Sequence, residues 1–558
     1  MTWENVDFDI FNKENLNILF NKRGISKINK NNLLDQLIFS IKSNITDSIY
    51  NSISKSINRI IEAIDNNVNI TIFGDYDVDG ICSVSILLYY LRNINAKVSY
   101  DIPDRLTEGY GLNMNSIKKM IKFKTKILIT VDCGTLSFNE IKYANDNGID
   151  VIVIDHHKSS MVEHPKAFSI INPFCYSEET IYKNLCAAGL TFIFILYLDN
   201  EIKKNKKIQK YDIMDLLDLV SLATVADMVP MVNINRLIIK LGIEKIKKNK
   251  RLGIISLCKQ ININIDYITE KDISFNIAPC INAMGRIENP KTALSLLLSY
   301  YEKKANILSK KLIETNNKRK KIEYETLIDA EQIIIKNNLL SDPIIVVYNK
   351  KWHPGILGIV ASRIVEKYKK AAIVIGENGK GSGRSIKNID LYEKLKETSL
   401  HKDIKRVKLV FGGHVYAVGL SIVYDYAFYF KNILCEKKDI NNYENNHKPN
   451  FKIDLNSNIH DIKLSIREYS PFGQNNYDPT FVMYNLNVIE NNFFGKNNEH
   501  LKIVIKNDKY EFNAIKFRFN KNIIEEIDKY IDIIFTIDRV YKSKIQILII
   551  DLRKSIKN

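Results

Sequence analysis

Cysteine is sparse in this sequence and never closely paired. Its 7 cysteines include no C-x-x-C, so neither a disulfide framework nor a zinc ribbon is expected. Long apolar runs are missing too. The longest, "LTFIFILYL" (Leu190–Leu198), falls well short of the ~20 residues a membrane span needs. The opening "MTWENVDFDIFNK" carries acids and no apolar stretch, so no secretory leader is expected. No internal repeat is visible. These absences lead to the expectation of a soluble cytoplasmic protein without a membrane partner.

What is present begins with charge. The formal net charge is +17, from 81 basic and 64 acidic side chains. Lysine, isoleucine and asparagine are abundant throughout, as A/T-rich codon usage would produce, so part of that excess is compositional drift. Spread over several domains, it still favours a polyanionic partner such as nucleic acid. A chain of 558 residues is too long for a single core, and at ~150 residues per domain it divides into three or four.

From Val68 to Ile154, short β-branched runs alternate with amphipathic stretches. "NITIF", "AKVSYDI", "KILITVD" and "DVIVID" read as strands, "ICSVSILLYYLRN" and "FNEIKYANDNG" as helices, and the alternation as a parallel sheet. In such sheets ligands bind at the carboxyl ends of strands. Asp75, Asp77 and Asp79 follow the first strand, Asp132 the third, and Asp155, His156 and His157 the fourth. "YDIMDLLDLVSLATVADMVP" reads as a helix ending at Asp227, and Leu296–Asn337 as a long charged helical connector. A second α/β unit starts at "PIIVVYNKKW". After an asparagine-rich bridge, short alternating runs suit a small β-barrel. The expected divisions are an extension at 1–45, the first α/β domain at 46–240, the connector at 241–340, the second α/β domain at 341–438 and an OB-like barrel at 439–558.

"GDYDVDG" places three aspartates on alternate positions with no basic residue among them. D-x-D-x-D-G also opens a calcium loop, but the twelfth position, which needs a bidentate glutamate, is Ile86. Taken singly, such a stretch is as well read as a solvated acidic turn, and a strand-end histidine as a hydrogen-bonded surface residue. Together, Asp75, Asp77, Asp79, Asp132, Asp227 and His156 form an oxygen-rich set with imidazole and no thiolate. That set suits Mn²⁺ or Mg²⁺ better than zinc, and the number of carboxylates points to two ions. Cys82 and Cys133 read as packing residues.

"GDYDVDG", "VDCG", "DHH" and "TVADMVP" also resemble, in order and spacing, the four motifs of the DHH phosphoesterase superfamily. "PDRLTEGYGL", "INPF", "NLCAAGL", "NRLIIKLG", "APCINAMGRI", "WHPGILGIVASR", "GSGRSI", "FGGHVYAVGL" and "PFGQNNYDPTF" are similar to its RecJ branch of single-strand-specific 5′ exonucleases. The resemblance implies that Asp75, Asp77, Asp79, Asp132, His156 and Asp227 hold two metal ions, with Asp132 bridging. It implies that His157 faces the scissile phosphate and that Asp155 steers the histidines. It further implies a substrate clamp from Ser382, Arg384, Ser385, Gly412, Gly413 and His414 of a DHH-associated domain, with Arg105 and Arg286. Trp352 and His353 read either as a stacking platform or as core, and Lys496, Lys502 and Lys506 either as a strand track or as a solvated face.

The activity implied is metal-dependent 5′ to 3′ hydrolysis of single-stranded DNA to mononucleotides in repair and recombination. A single-strand-binding protein or a helicase would be its companion. A DHH phosphodiesterase of short oligonucleotides or cyclic dinucleotides, and a non-catalytic single-strand-binding scaffold, are the competing readings. The first generally lacks the connector and barrel, and the second predicts lost ligands. Departures from the family pattern stand at Cys280, where arginine is usual, and at Met284, Asn475 and Tyr477. A positive contact near the substrate is thereby lost or taken over by Arg286.

Overall fold

The structure is a computed structural model that describes residues 9–29, 31–105, 107–158, 163–205, 212–249, 251–402, 404–436, 449–454, 457–495, 498–506, 511–519, 530–541 and 544–555. It forms two compact units. The larger comprises Asn44–Asp227 and Gly242–Asn445, the smaller Met1–Ser43, Met228–Leu241 and Asn446–Asn558.

The larger unit is built on two sheets. The first holds β1 (Ile70–Gly74), β2 (Val98–Asp101), β3 (Ile127–Val131), β4 (Asp150–Ile154) and β5 (Ser169–Ile171) in the order β2-β1-β3-β4-β5. All of its pairings are parallel. β1 and β3 are buried along their whole length, which is why their sequences are continuous Ile/Val/Leu/Phe/Thr runs rather than alternating ones. The four strands legible in the sequence are present. β5 is an addition, too short at "SII" to carry a periodic signal.

"LTFIFILYL" lies in the helix Ala187–Asn205, which packs against the helices Val78–Asn93 and Leu217–Ala226. The stretch ending at Asp227 is a 3₁₀ turn, Ile213–Leu216, followed by that last helix, with Asp227 as its C-cap. Among the described residues no helix is long and apolar enough to cross a membrane.

The long connector helix runs Glu302–Lys336, somewhat shorter than the charge pattern suggested, because Leu296 and Leu297 instead end the buried helix Lys291–Leu297. The second sheet holds β6 (Ile345–Tyr348), β7 (Ala372–Ile375), β8 (Lys380–Arg384), β9 (Val410–His414) and β10 (Ala417–Ser421), ordered β6-β7-β8-β10-β9. Only β6 and β7 are parallel, so this sheet is mixed. Trp352 is 3% exposed and donates its indole N–H to Asp329 Oδ2 at 2.8 Å. It is core, and of the two readings of Trp352 the stacking platform falls away.

The smaller unit is a barrel of β11 (Phe451–Lys452), β12 (Phe481–Phe494), β13 (His500–Lys506), β14 (Glu511–Lys516), β15 (Tyr530–Tyr541) and β16 (Lys544–Lys554). Pairing of β12 with β15 closes it. The helix Lys13–Lys22, within the stretch read as an extension, sends Leu16 and Phe20 into the barrel's core. Phe20 stacks on Tyr469 with ring centroids 4.0 Å apart. Buried Arg236 donates to the carbonyls of Ser26 at 2.7 Å and Tyr469 at 2.9 Å, tying the unit's separate chain segments together. The asparagine-rich bridge and Lys496 lie outside the described residues.

Because Phe20 is fully buried, Phe20→Ala should destabilise the smaller unit by about 3–5 kcal/mol. Denaturant unfolding followed by near-ultraviolet circular dichroism checks this. A loss below about 1 kcal/mol would show that the helix is dispensable to the barrel.

Candidate metal centre and phosphate site

The carboxyl ends of β1, β3 and β4 bring the sequence-predicted acids together. Asp77 is the N-cap of the helix Val78–Asn93, and its Oδ1 accepts from the Asp79 and Gly80 N–H groups at 3.0 and 3.1 Å. Gly80 has no room for a side chain, since a Cβ there would lie 2.4 Å from the Asp75 carbonyl oxygen. Asp79 accepts from the Ala187 and Ala188 N–H groups at 2.7 and 2.8 Å, so the positive end of a second helix, Ala187–Asn205, holds this carboxylate. Asp132 has φ +60°, a left-handed conformation costly for a non-glycine residue, and Tyr110 Oη donates to its carbonyl at 3.2 Å.

Nε2 of His156 lies 3.2 Å from Asp132 Oδ1, 3.6 Å from Asp79 Oδ2 and 3.7 Å from Asp227 Oδ2. Asp155 is buried away from the cluster. It accepts from the backbone N–H groups of Thr135, His156 and His157 and from His157 Nδ1, the last at 2.7 Å. Asp155 thus contacts the His157 imidazole and the His156 backbone. Asn172 fixes the same loops, donating to Thr135 Oγ1 and to the His157 carbonyl, each at 2.9 Å.

The electrostatics follow from this crowding. Burial, then the charge of Asp77, pushes Asp75 well above the usual carboxylate range. Burial followed by Asp77, Asp79, Asp75 and Asp227 does the same to Asp132. Burial also raises Asp79, although His156 opposes it. Asp227 is pushed up to about 9 by burial and then by Asp79 and Asp77. Burial lowers His156 despite the pull of Asp79. For His157 burial works the same way, but the hydrogen bond and charge of Asp155 outweigh it and raise the imidazole to about 9. Asp155 is correspondingly held below its ordinary value by His157, against the effect of burial.

Such a cluster fits divalent cations. Ligand atoms of Asp75, Asp77 and Asp132 lie within 4.8 Å of one another, as do those of Asp79, His156 and Asp227, and those of Asp132, His156 and His157. Asp75 Oδ1 is buried without a hydrogen-bond partner, a lone pair that a cation would satisfy. Hard oxygen donors with imidazole and no thiolate match Mn²⁺ or Mg²⁺.

Beside the cluster stand Arg105, Arg286 and Arg384. Arg105 lies over the Tyr76 ring, with its guanidinium carbon 5.3 Å from the centroid. Arg286 donates to the Gly355 carbonyl at 3.2 Å, and Arg384 to the Gly383 carbonyl at 2.9 Å. Among the described residues none of the three forms an ion pair. Burial, then Arg105 and Arg319, pushes Arg286 down to about 10, and burial and then Arg105 lowers Arg384. Guanidinium groups that depress one another's pKa are of the chemistry that suits an anion.

Ser382, on β8, would lie 3.5 Å from a Cβ on Gly358, the same glycine that Arg384 approaches. The Ser385 hydroxyl donates to the Ile389 carbonyl at 2.7 Å and so shapes the loop after β8. On β9, Gly413 has φ +137° and abuts the Ala417 carbonyl, whereas Gly412 faces open space. His414 is lowered by burial and then by the charges of His157 and Lys158, which puts it within electrostatic reach of the metal centre.

Sequence reasoning missed Tyr110. Its hydroxyl lies 3.3 Å from both ring nitrogens of His157, and the ring is exposed. The signal was a tyrosine set between two glycines, and Gly109 and Gly111 do take left-handed φ values of +82° and +79°.

A carboxylate whose pKa is raised by folding contributes full stability only below its ordinary value. That contribution disappears as the pH climbs to the folded value, for Asp227 from 3.8 to about 9. The metal-free protein should therefore lose stability as the pH rises through this window, and Mn²⁺ should restore it. Asp132→Asn should flatten that slope while weakening Mn²⁺ binding by more than about 100-fold, because it removes a central charge. Denaturant titrations in chelator and calorimetric Mn²⁺ titration read the two effects. Unchanged Mn²⁺ affinity would remove Asp132 from the ligand set.

Three family profiles match the chain in order. They are the DHH family N-terminal domain at residues 69–224, the DHHA1 domain at 341–428 and the RecJ OB domain at 451–551. The single-stranded-DNA-specific exonuclease RecJ of Bacillus subtilis is 33% identical over 477 residues, covering 84% of this chain and 58% of that protein. The RecJ of Haemophilus influenzae is 30% identical over 508 residues, covering 88% of this chain and 87% of that protein. Among solved structures, Thermus thermophilus RecJ in complex with Mn²⁺ shares the fold, with a TM-score of 0.74, 23% identity and coverage of 91% of this chain and 72% of that one. A structure of exonuclease RecJ bound to manganese matches with a TM-score of 0.60 and 27% identity over 70% of this chain and 94% of that one. With 30% identity sustained across most of the Haemophilus relative, the chain belongs to the RecJ family of exonucleases.

Proposed function

We propose that this chain hydrolyses single-stranded DNA from its 5′ end to 5′-mononucleotides. One observation carries the reading: a carboxylate cluster suited to divalent cations stands in the same unit as Arg105, Arg286 and Arg384, which form no ion pair among the described residues. Two Mn²⁺ or Mg²⁺ ions held by Asp75, Asp77, Asp79, Asp132, His156 and Asp227 would supply a water of lowered pKa and charge stabilisation at the phosphoryl oxygens.

The chain's own groups do the rest. Arg105, Arg286 and Arg384 grip the terminal phosphate and set which phosphodiester reaches the acids. Asp155 holds Nδ1 of His157 at 2.7 Å, which fixes the ring so that its Nε2 can meet a phosphate oxygen of the scissile group. The Tyr110 hydroxyl packs against that ring, 3.3 Å from both of its nitrogens. Ser382 and His414 line the second sheet's side of the path. In the cytoplasm such a strand would be exposed by a helicase or presented by a single-strand-binding protein during repair and recombination.

Digestion of end-labelled oligonucleotides with Mn²⁺ tests the activity. A 5′ label should appear first as mononucleotide, and a 5′ overhang should be degraded far faster than a blunt duplex. Release of the 3′ label first would overturn the polarity. Arg384→Ala should weaken strand binding and reduce the log–log salt slope by roughly 0.7, the value for one single-strand phosphate contact. An unchanged slope would show that Arg384 does not touch the backbone.

A further inference from the structure

The first N–H groups of the helix Val78–Asn93 are divided between two acceptor residues. Asp77 takes those of Asp79 and Gly80 on its side chain, and the Ile81 N–H reaches the Asp77 carbonyl at 2.9 Å. The remaining one, on Val78, donates at 3.1 Å to Oδ1 of Asn282, a residue 204 positions further along the chain. A backbone N–H meets only an acceptor, so this contact assigns the amide oxygen of Asn282. Asn282 stands in the helix Ala278–Ile287, four residues before Arg286, and residues at that spacing share a helix face. Gly285 of the same helix abuts the metal loop as well, since a Cβ there would lie 2.5 Å from the Tyr76 carbonyl oxygen. The helix therefore grips the chain on both sides of Asp77, at Tyr76 before it and at Val78 after it. Both contacts are made to backbone, so neither takes a carboxylate oxygen from the acids.

We propose that Asn282 is a positioning residue, which locks the loop of Asp77 and Asp79 to the helix of Arg286 and so fixes the acids relative to the bound phosphate. The proposal rests on the reading that the chain hydrolyses phosphodiesters at these acids. Val78 is buried, so its N–H needs a partner from the protein rather than from water. The Asp77 carboxylate is already engaged twice by its own helix. An acceptor sent from the arginine helix satisfies the donor and also joins the two elements by a directional bond, which packing alone does not provide. Gly285 sets how near the two elements come, and Asn282 sets their register. Turnover depends on that register, because a misplacement of about 1 Å costs about 100-fold in rate.

In the full-length chain, Asn282→Ala should lower kcat for a thymidine dinucleotide with Mn²⁺ by about 10- to 100-fold. KM, the calorimetric Mn²⁺ affinity and the affinity for a labelled oligothymidylate in chelator should stay near wild type, because no ligand group is removed. Asn282→Asp keeps an acceptor of the same reach and should restore most of the lost turnover, its added charge being read separately in the Mn²⁺ titration. Gly285→Ala, which forces the same helix off the Tyr76 carbonyl, should reproduce the loss and keeps the test decisive should Asn282→Ala not fold. Hydrogen exchange supplies a readout free of turnover: saturating Mn²⁺ should slow the amides of Ala278–Ile287 in the wild type and not in Asn282→Ala. Unchanged kcat in Asn282→Ala, or in Gly285→Ala where the former does not fold, overturns the proposal. A loss that falls wholly on KM or on Mn²⁺ affinity does the same, as does Mn²⁺ protection that persists in Asn282→Ala. A wild type that leaves the dinucleotide intact would instead overturn the hydrolytic reading, and the exchange measurement would still judge the link.

Discussion

Repulsion among carboxylates at the ends of β1 and β3 is the constraint that organises the larger unit. Among the described residues no lysine or arginine forms an ion pair with Asp75, Asp79 or Asp132, and the chain immobilises its acids with backbone N–H groups. Asp77 takes the first turn of its own helix, Asp79 the first turn of Ala187–Asn205, and Asp155 the three N–H groups after β3 and β4. Backbone donors fix a carboxylate without discharging it. The remaining lone pairs stay turned toward one small volume, which is what a pair of hard cations requires. Left-handed Asp132 belongs to the same arrangement. Its unfavourable backbone persists because the Ile154 carbonyl accepts its N–H at 3.0 Å and Tyr110 binds its carbonyl.

Much of this was legible because both-face burial leaves a strong mark. β1 and β3 could hardly be anything but central strands, and in a parallel sheet their carboxyl ends must face the same way. The acids could therefore be assigned to one edge from the sequence alone. Tyr110 and Asn172 could not, since their roles consist of contacts with loops distant in sequence. Trp352 was ambiguous for a similar reason: an aromatic residue in a turn gives no hint that Asp329 waits beneath it for the indole N–H. The helix Lys13–Lys22 shows the same limit. Leu16 and Phe20 mark an apolar face at helical spacing, but nothing local says which core that face fills.

The departures from the family pattern make physical sense in place. Buried Cys280 donates its thiol to the Asn276 carbonyl at 3.2 Å and meets Asn316 Nδ2 at 3.4 Å. Asn316 in turn accepts from Arg319 Nε at 3.0 Å, and Arg319 pairs with Glu323, which also receives Arg363. Arg319 is close enough to help depress the pKa of Arg286. Asn475 has φ +61°, a region that asparagine tolerates better than other non-glycine residues. Tyr477 is exposed, and its carbonyl accepts from Arg23 at 2.7 Å, so the absence of a proline there leaves the turn anchored.

Two glycines set the spacing between the acids and the arginines. A Cβ on Gly285 would lie 2.5 Å from the Tyr76 carbonyl oxygen, and one on Gly355 would lie 2.0 Å from the carbonyl oxygen of Arg286. The loop that carries Asp75 and Asp77, the helix Ala278–Ile287 with Arg286 in its last turn, and the turn before Leu357 thus touch backbone to backbone. Contacts of that kind cannot adjust by changing rotamers, so the separation between the arginines and the acids is a property of the fold. Phosphodiester hydrolysis depends on placing the reacting phosphorus to within fractions of an ångström. A nuclease that removes one nucleotide at a time needs the anchor and the reacting centre held one phosphate apart, and direct backbone contact is the most rigid way for a chain to hold them.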